Sequence, residues 1–350
     1  MLTPDDRIAI LMHDGLQGAK GKTGISLLRY SQNSIVAVID EAAAGESIPD
    51  LTGIDREVPI VPSLQAALSL DPTVLAIGLA PSGGILPEPW YAEVKQAVKA
   101  GLSVMNGLHT QMNQDAEIAG SIASGRWVWD MRQEPEGLTV GGGRARLLEC
   151  DRVLTVGTDM AVGKMSTSIE LNRTAKAKGL RSKLIATGQT GLMLGENGVP
   201  LDAIRVDYAS GAVEQCVTRY GNGHDILFVE GQGSLLNPAS TATLPLIRGT
   251  QPTHLILVHK AGLTHIQHFS DFQIPSLTEV VKLYESVATA GGTFAPARVV
   301  GIALNTFGLS EEAARGAIAD TSQQTGLPCT DAVRFGGESL LLQITGDDQR

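Results

Sequence analysis

Two glycine-rich segments of this sequence end in a Gly-Lys pair, and each has the composition of a loop that binds phosphate. They are GLQGAKGKT, residues 15–23, and GTDMAVGKMS, residues 157–166. Such a loop surrounds phosphate oxygens with backbone N–H groups, adds the positive end of a helix dipole and supplies a lysine to the outer phosphates. The hydroxyl residue after that lysine normally ligates Mg²⁺. Thr23 follows the lysine in the first segment, whereas Met165 follows it in the second.

The second segment lies in the better local context. An apolar run at residues 153–156 predicts a strand before it, and residues 163–178 predict a long helix after it. Downstream, the apolar strand DILFVE ends in Glu230 and is followed by Gly-Gln-Gly, a position at which phosphate-loop enzymes carry an acid that organises a metal or a water. The sequence therefore predicts a phosphate site formed by Gly157, Thr158, Asp159, Met160, Ala161, Val162, Gly163, Lys164, Met165 and Ser166.

The first segment has the intact ending but a weaker context. Its predicted helix, residues 23–30, is short, and its glycines give GxxGxxG in place of the dinucleotide fingerprint GxGxxG. Two interpretations stay open for this segment: an anion site, and a tight turn at the start of a Rossmann-like sheet. We favour the turn and expect Lys22→Ala to change the binding of the phosphorylated ligand little.

Methionine after Lys164 changes the chemistry expected of the second loop. Its thioether is a soft ligand, and Mg²⁺ prefers hard oxygens. Ser166 is one residue further along the predicted helix, about 100° around its axis, so its hydroxyl is a doubtful replacement. The residues alone predict a loop that holds a phosphorylated ligand and is less suited to the cleavage of ATP.

The elements around both loops alternate between strand and helix. This pattern predicts an α/β fold with two doubly wound domains, an N-terminal Rossmann-like domain and a C-terminal domain like that of P-loop NTPases. The alternation breaks at EPEGLTVGGGRAR, which is typical of a linker. We place the domains at residues 1–140 and 141–350.

Composition limits the partners and the compartment. The net charge of −10 argues against nucleic acid or an anionic membrane as the main partner, and the three cysteines show no spacing typical of a metal or redox site. The N-terminus carries acids where a signal peptide has bases, and no apolar run approaches the ~20 residues of a membrane span. We expect a cytoplasmic protein that acts on a small molecule, with the oligomeric state open and a homo-oligomer among the states considered.

Several segments resemble known families. The segments GTDMAVGK, SKLIATGQTG, FVEGQGS and GIALNT are similar to dethiobiotin synthetase and its phosphate-loop relatives. Over nearly the whole chain, the sequence resembles a two-domain family long known only as a domain of unknown function, through the stretches IVPSLQAAL, LAIGLAPSGG, VMNGLH, GTDMAVGKMS and EGQGS. Some members of that family are described as D-glutamate N-acetyltransferases that use acetyl-CoA. The resemblance implies acetyl-CoA as the ligand of the second loop, and the phosphates of coenzyme A need no metal during acyl transfer.

Acetyl transfer to an amine requires a general base, because an ammonium must lose a proton before it attacks. The candidates follow predicted strands, where doubly wound sheets place their ligands: Glu230, His259 and, within the loop, Asp159. For each, a structural role is the alternative, such as organising or capping the loop. Asn305 ends the strand GIALNT. Its resemblance to dethiobiotin synthetase implies contact with a nucleobase, and capping of the next turn is the alternative.

No metal is predicted. His265 and His268 have the i, i+3 spacing of ligands on a helix, but no matched carboxylate or cysteine accompanies them. Two other functions remain as alternatives to acetyl transfer: an ATP- or GTP-dependent ligase or kinase of the dethiobiotin synthetase type, with ATP and Mg²⁺ as cofactors, and a nucleotide-binding regulator without turnover. Dependence on Mg²⁺ separates the first of these from the acetyltransferase.

Overall fold

The computed structural model describes residues 2–81 and 84–346, and the chain groups into two compact units. Unit 1 contains Met1–Gln133 and the short segment Gln189–Gly195. Unit 2 contains Glu134–Gly188 and Glu196–Arg350. The domain boundary placed at residue 140 stays a prediction. Ser82 and Gly83, in the turn predicted by LAIGLAPSGG, lie outside the described residues.

Unit 1 is built on a parallel sheet of six strands in the order β3-β2-β1-β4-β5-β6. This order, which reverses direction between β1 and β4, is that of a dinucleotide-binding Rossmann sheet and confirms the predicted fold. The strands read as apolar runs because helices cover both faces. They are β1 (Arg7–Leu11), β2 (Ser34–Ile39), β3 (Ile60–Val61), β4 (Val74–Ile77), β5 (Ser103–Asn106) and β6 (Val128–Asp130).

Helices of unit 1 follow the strands in the expected alternation. Capping residues fix several of their starts: Ser47, Ser63 and Asp115 each accept a backbone N–H from the first turn of a helix. The unit also includes one helix from the distant segment Gln189–Gly195. The helices are α1 (Lys22–Tyr30), α2 (Ile48–Thr52), α3 (Leu64–Leu68), α4 (Glu88–Lys99), α5 (Ala116–Ser121) and α7 (Gln189–Met193).

Unit 2 is built on a second parallel sheet of six strands, in the order β14-β13-β10-β7-β9-β8. A separate antiparallel hairpin, β11-β12, lies outside this sheet. The strands are β7 (Asp151–Gly157), β8 (Ser182–Ile185), β9 (Ile226–Val229), β10 (His254–Lys260), β11 (His265–Ile266), β12 (Phe269–Gln273), β13 (Arg298–Asn305) and β14 (Cys329–Thr330).

The longest helices of unit 2 pack on this sheet through apolar faces. Val280, Tyr284 and Ala288 recur every four residues on one helix and are all buried in the core of the unit. The helices are α6 (Lys164–Ala177), α8 (Val206–Gly221), α9 (Thr243–Thr250), α10 (Leu277–Thr289), α11 (Glu311–Thr325), α12 (Ala332–Phe335) and α13 (Glu338–Thr345). Within the described residues, every helix falls short of the length and apolar character that a bilayer crossing requires.

The sheet order of unit 2 brings the predicted site residues together. Strands β9, β7, β10 and β13 are neighbours in that order, and all are parallel. Their carboxyl ends therefore meet at one edge, where Glu230 follows β9, His259 lies near the end of β10 and Asn305 ends β13. Ligands of open α/β sheets bind at this edge.

The helical spacing considered for His265 and His268 is wrong. His265 begins β11, and His268 lies in the hairpin turn with a positive φ of 68°. In a strand and turn, residues three apart do not share a helix face. The described residues contain no group of three or more His, Cys, Asp or Glu able to hold a metal ion.

Candidate functional site

The loop at residues 157–163 leads directly from a strand into a long helix. β7 ends at Gly157, and α6 begins at Lys164. Gly163 precedes the helix with a φ of 116°, a conformation that residues with a Cβ rarely adopt, and no side chain caps the helix. The first N–H groups of α6 and the positive end of its dipole are therefore left for a ligand, as in phosphate-binding loops.

Lys164 is held inside this loop. The side chain is only 6% exposed, and Nζ donates to the carbonyl oxygen of Asp159 at 2.7 Å. A Cβ added to Gly157 would lie 3.0 Å from Nζ, and one added to Gly231 would lie 3.0 Å from Cδ of the lysine. Glycine at both positions leaves room for the lysine side chain, and at Gly231 an added Cβ would first clash with the carbonyl oxygen of Thr155.

Asp159 connects the loop to two other segments of unit 2. The carboxylate is fully buried and accepts hydrogen bonds from the backbone N–H of Met160 at 2.7 Å, from Nδ2 of Asn237 at 2.7 Å and from the N–H of Gln267 at 2.6 Å. These contacts fit the loop-organising role considered for this residue. Its role as a general base stays a prediction.

His259 contacts the loop from the neighbouring strand. Its Nδ1 lies 2.9 Å from Oγ1 of Thr158, and the backbone N–H of Thr158 donates to Val258. Burial lowers the pKa of His259 to about 4, because the imidazolium form would lose its hydration. The ring is therefore neutral near pH 7 and available as a hydrogen-bond partner.

Glu230 directly follows β9, and its two carboxylate oxygens differ in their hydrogen bonds. Its Oε2 accepts the backbone N–H groups of Thr187 at 3.0 Å and of Gly188 at 3.3 Å, and no described residue donates to Oε1. Burial raises the pKa of this carboxyl, while the two N–H groups and the nearby charge of Lys164 act in the opposite direction. A carboxyl with a raised pKa is a stronger base once it is ionised.

The residues after Lys164 are the second and third of α6. The side chains of Met165 and Ser166 are both half-buried, and Ser166 Oγ makes no hydrogen bond with a described residue. Ser168 Oγ, further along the helix, is used by the core and lies 3.0 Å from Oγ1 of Thr155. Ser166 is thus the first hydroxyl of the helix, and the thioether of Met165 precedes it.

Asn305 joins the loop to the adjacent strand end. Its Nδ2 donates to the carbonyl oxygen of Val162 at 3.0 Å, and its Oδ1 accepts the N–H of Phe307 at 3.0 Å. The second bond is the turn cap that was the alternative to nucleobase contact. Contact with a nucleobase stays a prediction.

Sequence reasoning missed Tyr284 and Asn237. The hydroxyl of Tyr284 donates to the carbonyl oxygen of Gly157 at 2.7 Å and accepts the N–H of Leu235 at 3.1 Å, and the residue is fully buried. A signal for it existed, since its phenol interrupts an otherwise aliphatic face of α10, and a buried phenol needs a partner. Asn237 lies in a loop whose local sequence carries no comparable signal.

Family models match both halves of the chain. The model described as "Domain of unknown function (DUF1611_C) P-loop domain" covers residues 139–341, and the one described as "Domain of unknown function (DUF1611_N) Rossmann-like domain" covers residues 41–134. The chain belongs to the DUF1611 family. The match over residues 139–341 includes the loop, Glu230, His259 and Asn305, so the site described above lies in the P-loop domain of the family.

Two relatives of this DUF1611 chain carry the name D-glutamate N-acetyltransferase. One, from Tritonibacter scottomollicae, is 34% identical over 80% of this chain and 83% of its own. The other, from Pseudoalteromonas sp., is 33% identical over 81% of this chain and 84% of its own. A solved structure of a DUF1611 family protein from Anabaena variabilis is 57% identical, covers 98% of this chain and 100% of its own, and superposes with a TM-score of 0.96.

Proposed function

We propose that this protein transfers an acetyl group from acetyl-CoA to the amine of an acidic amino acid such as D-glutamate, with residues 157–166 holding the phosphates of coenzyme A. Two relatives at 34% and 33% identity carry the name D-glutamate N-acetyltransferase, which supports this proposal. The observation that carries the assignment of the ligand is a phosphate loop with Lys164 in place and Met165 where a metal-binding hydroxyl normally stands. Such a loop suits a phosphorylated ligand whose phosphates are not cleaved.

The residues of the loop fit the phosphates of coenzyme A. Lys164 supplies a buried cation, and its bond to the carbonyl oxygen of Asp159 is one that a phosphate oxygen can replace with a stronger, charge-assisted bond. The uncapped N–H groups at the start of α6 add donors. Acetyl-CoA supplies the acetyl group as a thioester, whose carbonyl carbon accepts the amine as the C–S bond breaks.

Glu230 is the favoured general base. The acceptor ammonium must give up a proton before its nitrogen forms the new C–N bond, and an ionised carboxylate with a raised pKa takes that proton. Oε2 is fixed by two backbone N–H groups, so Oε1 is the oxygen we assign to the proton. His259, neutral and bonded to Thr158, is assigned to positioning the loop, as is Asp159.

Calorimetric titration with acetyl-CoA, and with ATP in the presence and absence of Mg²⁺, tests the ligand. We expect acetyl-CoA to bind independently of Mg²⁺ and Lys164→Ala to weaken this binding by about 100- to 1,000-fold. Lys176→Ala, an exposed lysine in the last turn of the same helix, is the matched control and should bind normally. Mg²⁺-dependent binding of ATP without binding of acetyl-CoA would overturn the proposal in favour of an ATP-dependent ligase or kinase.

Mass spectrometry of mixtures of enzyme, acetyl-CoA and either D- or L-glutamate tests the reaction. The proposal expects N-acetylglutamate with a mass increase of one acetyl group and release of free coenzyme A thiol. Glu230→Gln keeps the size and the hydrogen-bond acceptor of the side chain but removes the base. It should lower kcat strongly while acetyl-CoA still binds. Tight binding of acetyl-CoA with no product from either glutamate would indicate a ligand-binding protein without this turnover.

A further inference from the structure

Asn305 holds the carbonyl oxygen of one residue of the loop at 157–163, and this bond determines where the next N–H points. Its Nδ2 donates to the carbonyl oxygen of Val162 at 3.0 Å. The peptide bond between Val162 and Gly163 is trans, as is every peptide bond of the described residues. In a trans peptide the C=O and the N–H point in opposite directions. The N–H of Gly163 therefore points away from the amide of Asn305.

The N–H of Gly163 is left for a ligand. It meets no hydrogen-bond acceptor among residues 2–81 and 84–346, and Gly163 is half-buried at the last position before α6. The first N–H groups of α6 follow it, and no side chain caps them. A phosphate loop binds its anion through such consecutive N–H groups. The bond from Asn305 thus orients a donor of the proposed phosphate site, although Asn305 itself lies on the opposite side of the peptide.

The backbone on both sides of Val162 has a positive φ, so its conformation needs support. Ala161 has a φ of 56°, in the left-handed region that residues with a Cβ seldom adopt, and Gly163 has a φ of 116°. Such conformations persist only where the surrounding structure holds them. Val162 is held by its fully buried side chain and by the bond to Asn305. Apolar packing is not directional, so the hydrogen bond is what specifies the direction of the carbonyl group.

Asn305 is itself held in place. Its Oδ1 accepts the N–H of Phe307 at 3.0 Å, which fixes the orientation of the amide plane. Its backbone pairs with Lys260 in the register of β10 and β13, and its carbonyl oxygen accepts the N–H of Ala261 at 3.0 Å. A donor that is already held by its strand and by its own side chain orients its partner at little further cost in conformational entropy.

We propose that Asn305 is a positioning residue, which acts through the carbonyl oxygen of Val162 to direct the N–H of Gly163 at a phosphate of the bound ligand. This inference rests on the part of the proposed function in which residues 157–166 hold phosphates. It differs from the role implied by the resemblance to dethiobiotin synthetase, in which the same side chain contacts a nucleobase. The two roles give different results for a ligand that has phosphates and no base.

Calorimetric titration of the whole protein with inorganic pyrophosphate and with acetyl-CoA tests the inference. The variant is Asn305→Ser, whose hydroxyl can still accept the N–H of Phe307 but is too short to reach Val162. We expect it to weaken the binding of both ligands by the same factor, about tenfold, because the phosphate loses an oriented donor and the base takes no part. Weaker binding of acetyl-CoA alone, with pyrophosphate bound as in the wild type, would assign Asn305 to the base and overturn the inference.

Asn113→Ser is the matched control, because Nδ2 of Asn113 also donates to a backbone carbonyl oxygen, that of Val128 at 2.8 Å, in unit 1. It should bind both ligands within about twofold of the wild type. A second variant, Asn305→Asp, keeps the shape and the acceptor for Phe307, but its carboxylate cannot donate to Val162 and repels phosphate. It should bind pyrophosphate more weakly than Asn305→Ser does. Wild-type affinity for pyrophosphate in either variant of Asn305, or no binding of pyrophosphate by the wild type, overturns the inference.

Steady-state kinetics separates this role from a general structural one and from failure of the proposed function. Asn305→Ser should raise the KM for acetyl-CoA and leave kcat and the KM for glutamate unchanged, since the phosphate is held equally before and during the transfer. A fall in kcat with a rise in both KM values would indicate a general structural role and overturn the inference. If N-acetylglutamate forms and the KM for acetyl-CoA is unchanged, the acetyltransferase stands and the inference falls. If pyrophosphate binding depends on Asn305 and no product forms, the inference stands and the acetyltransferase falls.

Discussion

The two Gly-Lys loops share a local plan and differ in what surrounds the lysine. Each follows a strand of a parallel sheet and places its lysine as the first residue of the next helix, Lys22 in α1 and Lys164 in α6. Lys164 is buried and donates to the loop's own backbone, whereas Lys22 faces a cavity without a described acceptor. The same sequence ending thus lies in two different environments, an enclosed loop and the wall of a cavity.

The glycine before each lysine serves a different purpose. Gly163 has a φ of 116°, and a Cβ there would meet nothing closer than 3.5 Å, so this position requires glycine for its backbone conformation. Gly21 has an ordinary φ of −88°, and a Cβ there would lie only 2.0 Å from the carbonyl oxygen of Gly15. Glycine is therefore required at residue 21 because two backbone segments approach each other closely there.

A histidine lies beside each loop, and the pKa shifts of the two are opposite. Burial lowers the pKa of His259 to about 4. Burial also acts to lower the pKa of His13, but Glu93, whose Oε2 lies 2.8 Å from Nε2, raises it overall. The proposed coenzyme loop therefore has a neutral ring beside it, while the ring near the first loop is paired with a carboxylate.

The largest expected effect is a difference in acetyl-CoA affinity between variants of the two lysines. Lys164→Ala should weaken acetyl-CoA binding by about 100- to 1,000-fold, because two charge-assisted bonds to phosphate contribute roughly 3–4 kcal/mol. Lys22→Ala should change the same affinity by less than about twofold. Calorimetry on both variants gives the comparison. Equal losses would mean that both loops bind one ligand, and the distinction between them would be abandoned.

The pH dependence of stability should differ in sign between the two histidines. His259 has a folded-state pKa below its unfolded value of about 6.5. Its contribution is present above about pH 6.5 and is lost as the pH falls towards 4, because the unfolded state binds the proton first. The stability of the wild type relative to His259→Asn should fall by roughly 3 kcal/mol between pH 7 and pH 4, as measured by urea unfolding.

His13 should show the opposite trend. Its folded-state pKa is raised, so its contribution is present below about pH 6.5 and is lost as the pH rises through the folded-state value. The stability of the wild type relative to His13→Asn should therefore be larger at pH 6 than at pH 8. A difference that grows with pH would show that the pair with Glu93 does not govern this histidine.

Replacing the glycine before each lysine by alanine should lower the free energy of unfolding by different amounts in the two loops. Gly21→Ala forces a Cβ against a backbone carbonyl and should lower the free energy of unfolding by about 2 kcal/mol. Gly163→Ala meets only backbone strain and should cost about 1 kcal/mol. Gly120→Ala, in α5 with nothing within 4 Å of its added Cβ, is the control and should be neutral or slightly stabilising. If Gly163→Ala lowered the free energy of unfolding more than Gly21→Ala, backbone conformation would be the stricter requirement and close approach the weaker one.

The smallest expected effect is a gain in the Mg²⁺ dependence of ATP binding. Met165→Thr restores the hydroxyl that ligates Mg²⁺ in phosphate-loop enzymes, so Mg²⁺ should tighten ATP binding by about tenfold in this variant and little in the wild type. Titration with ATP at fixed Mg²⁺ measures the gain. Strong Mg²⁺ dependence in the wild type would instead show that Ser166 already supplies the ligand.

Local sequence was enough for much of the fold. The apolar runs at β1, β7 and β10 predicted buried strands, and the Gly-Lys endings predicted both loops. The hairpin of β11 and β12 was missed, and the spacing of His265 and His268 was interpreted as helical. Short exposed strands carry little periodicity, and a two-residue strand such as β11 cannot be told from a turn by its composition.

The sequence by itself determined the two α/β units, the helix that follows each lysine and the absence of a hydroxyl after Lys164. Only the tertiary structure decided that the ends of β9, β7, β10 and β13 meet, that Oε2 of Glu230 is bonded while Oε1 is not, and that Lys22 faces a cavity. The reason is physical. Every buried parallel strand reads as the same apolar run, so strand order and the neighbours of each strand end are set by packing of the whole sheet.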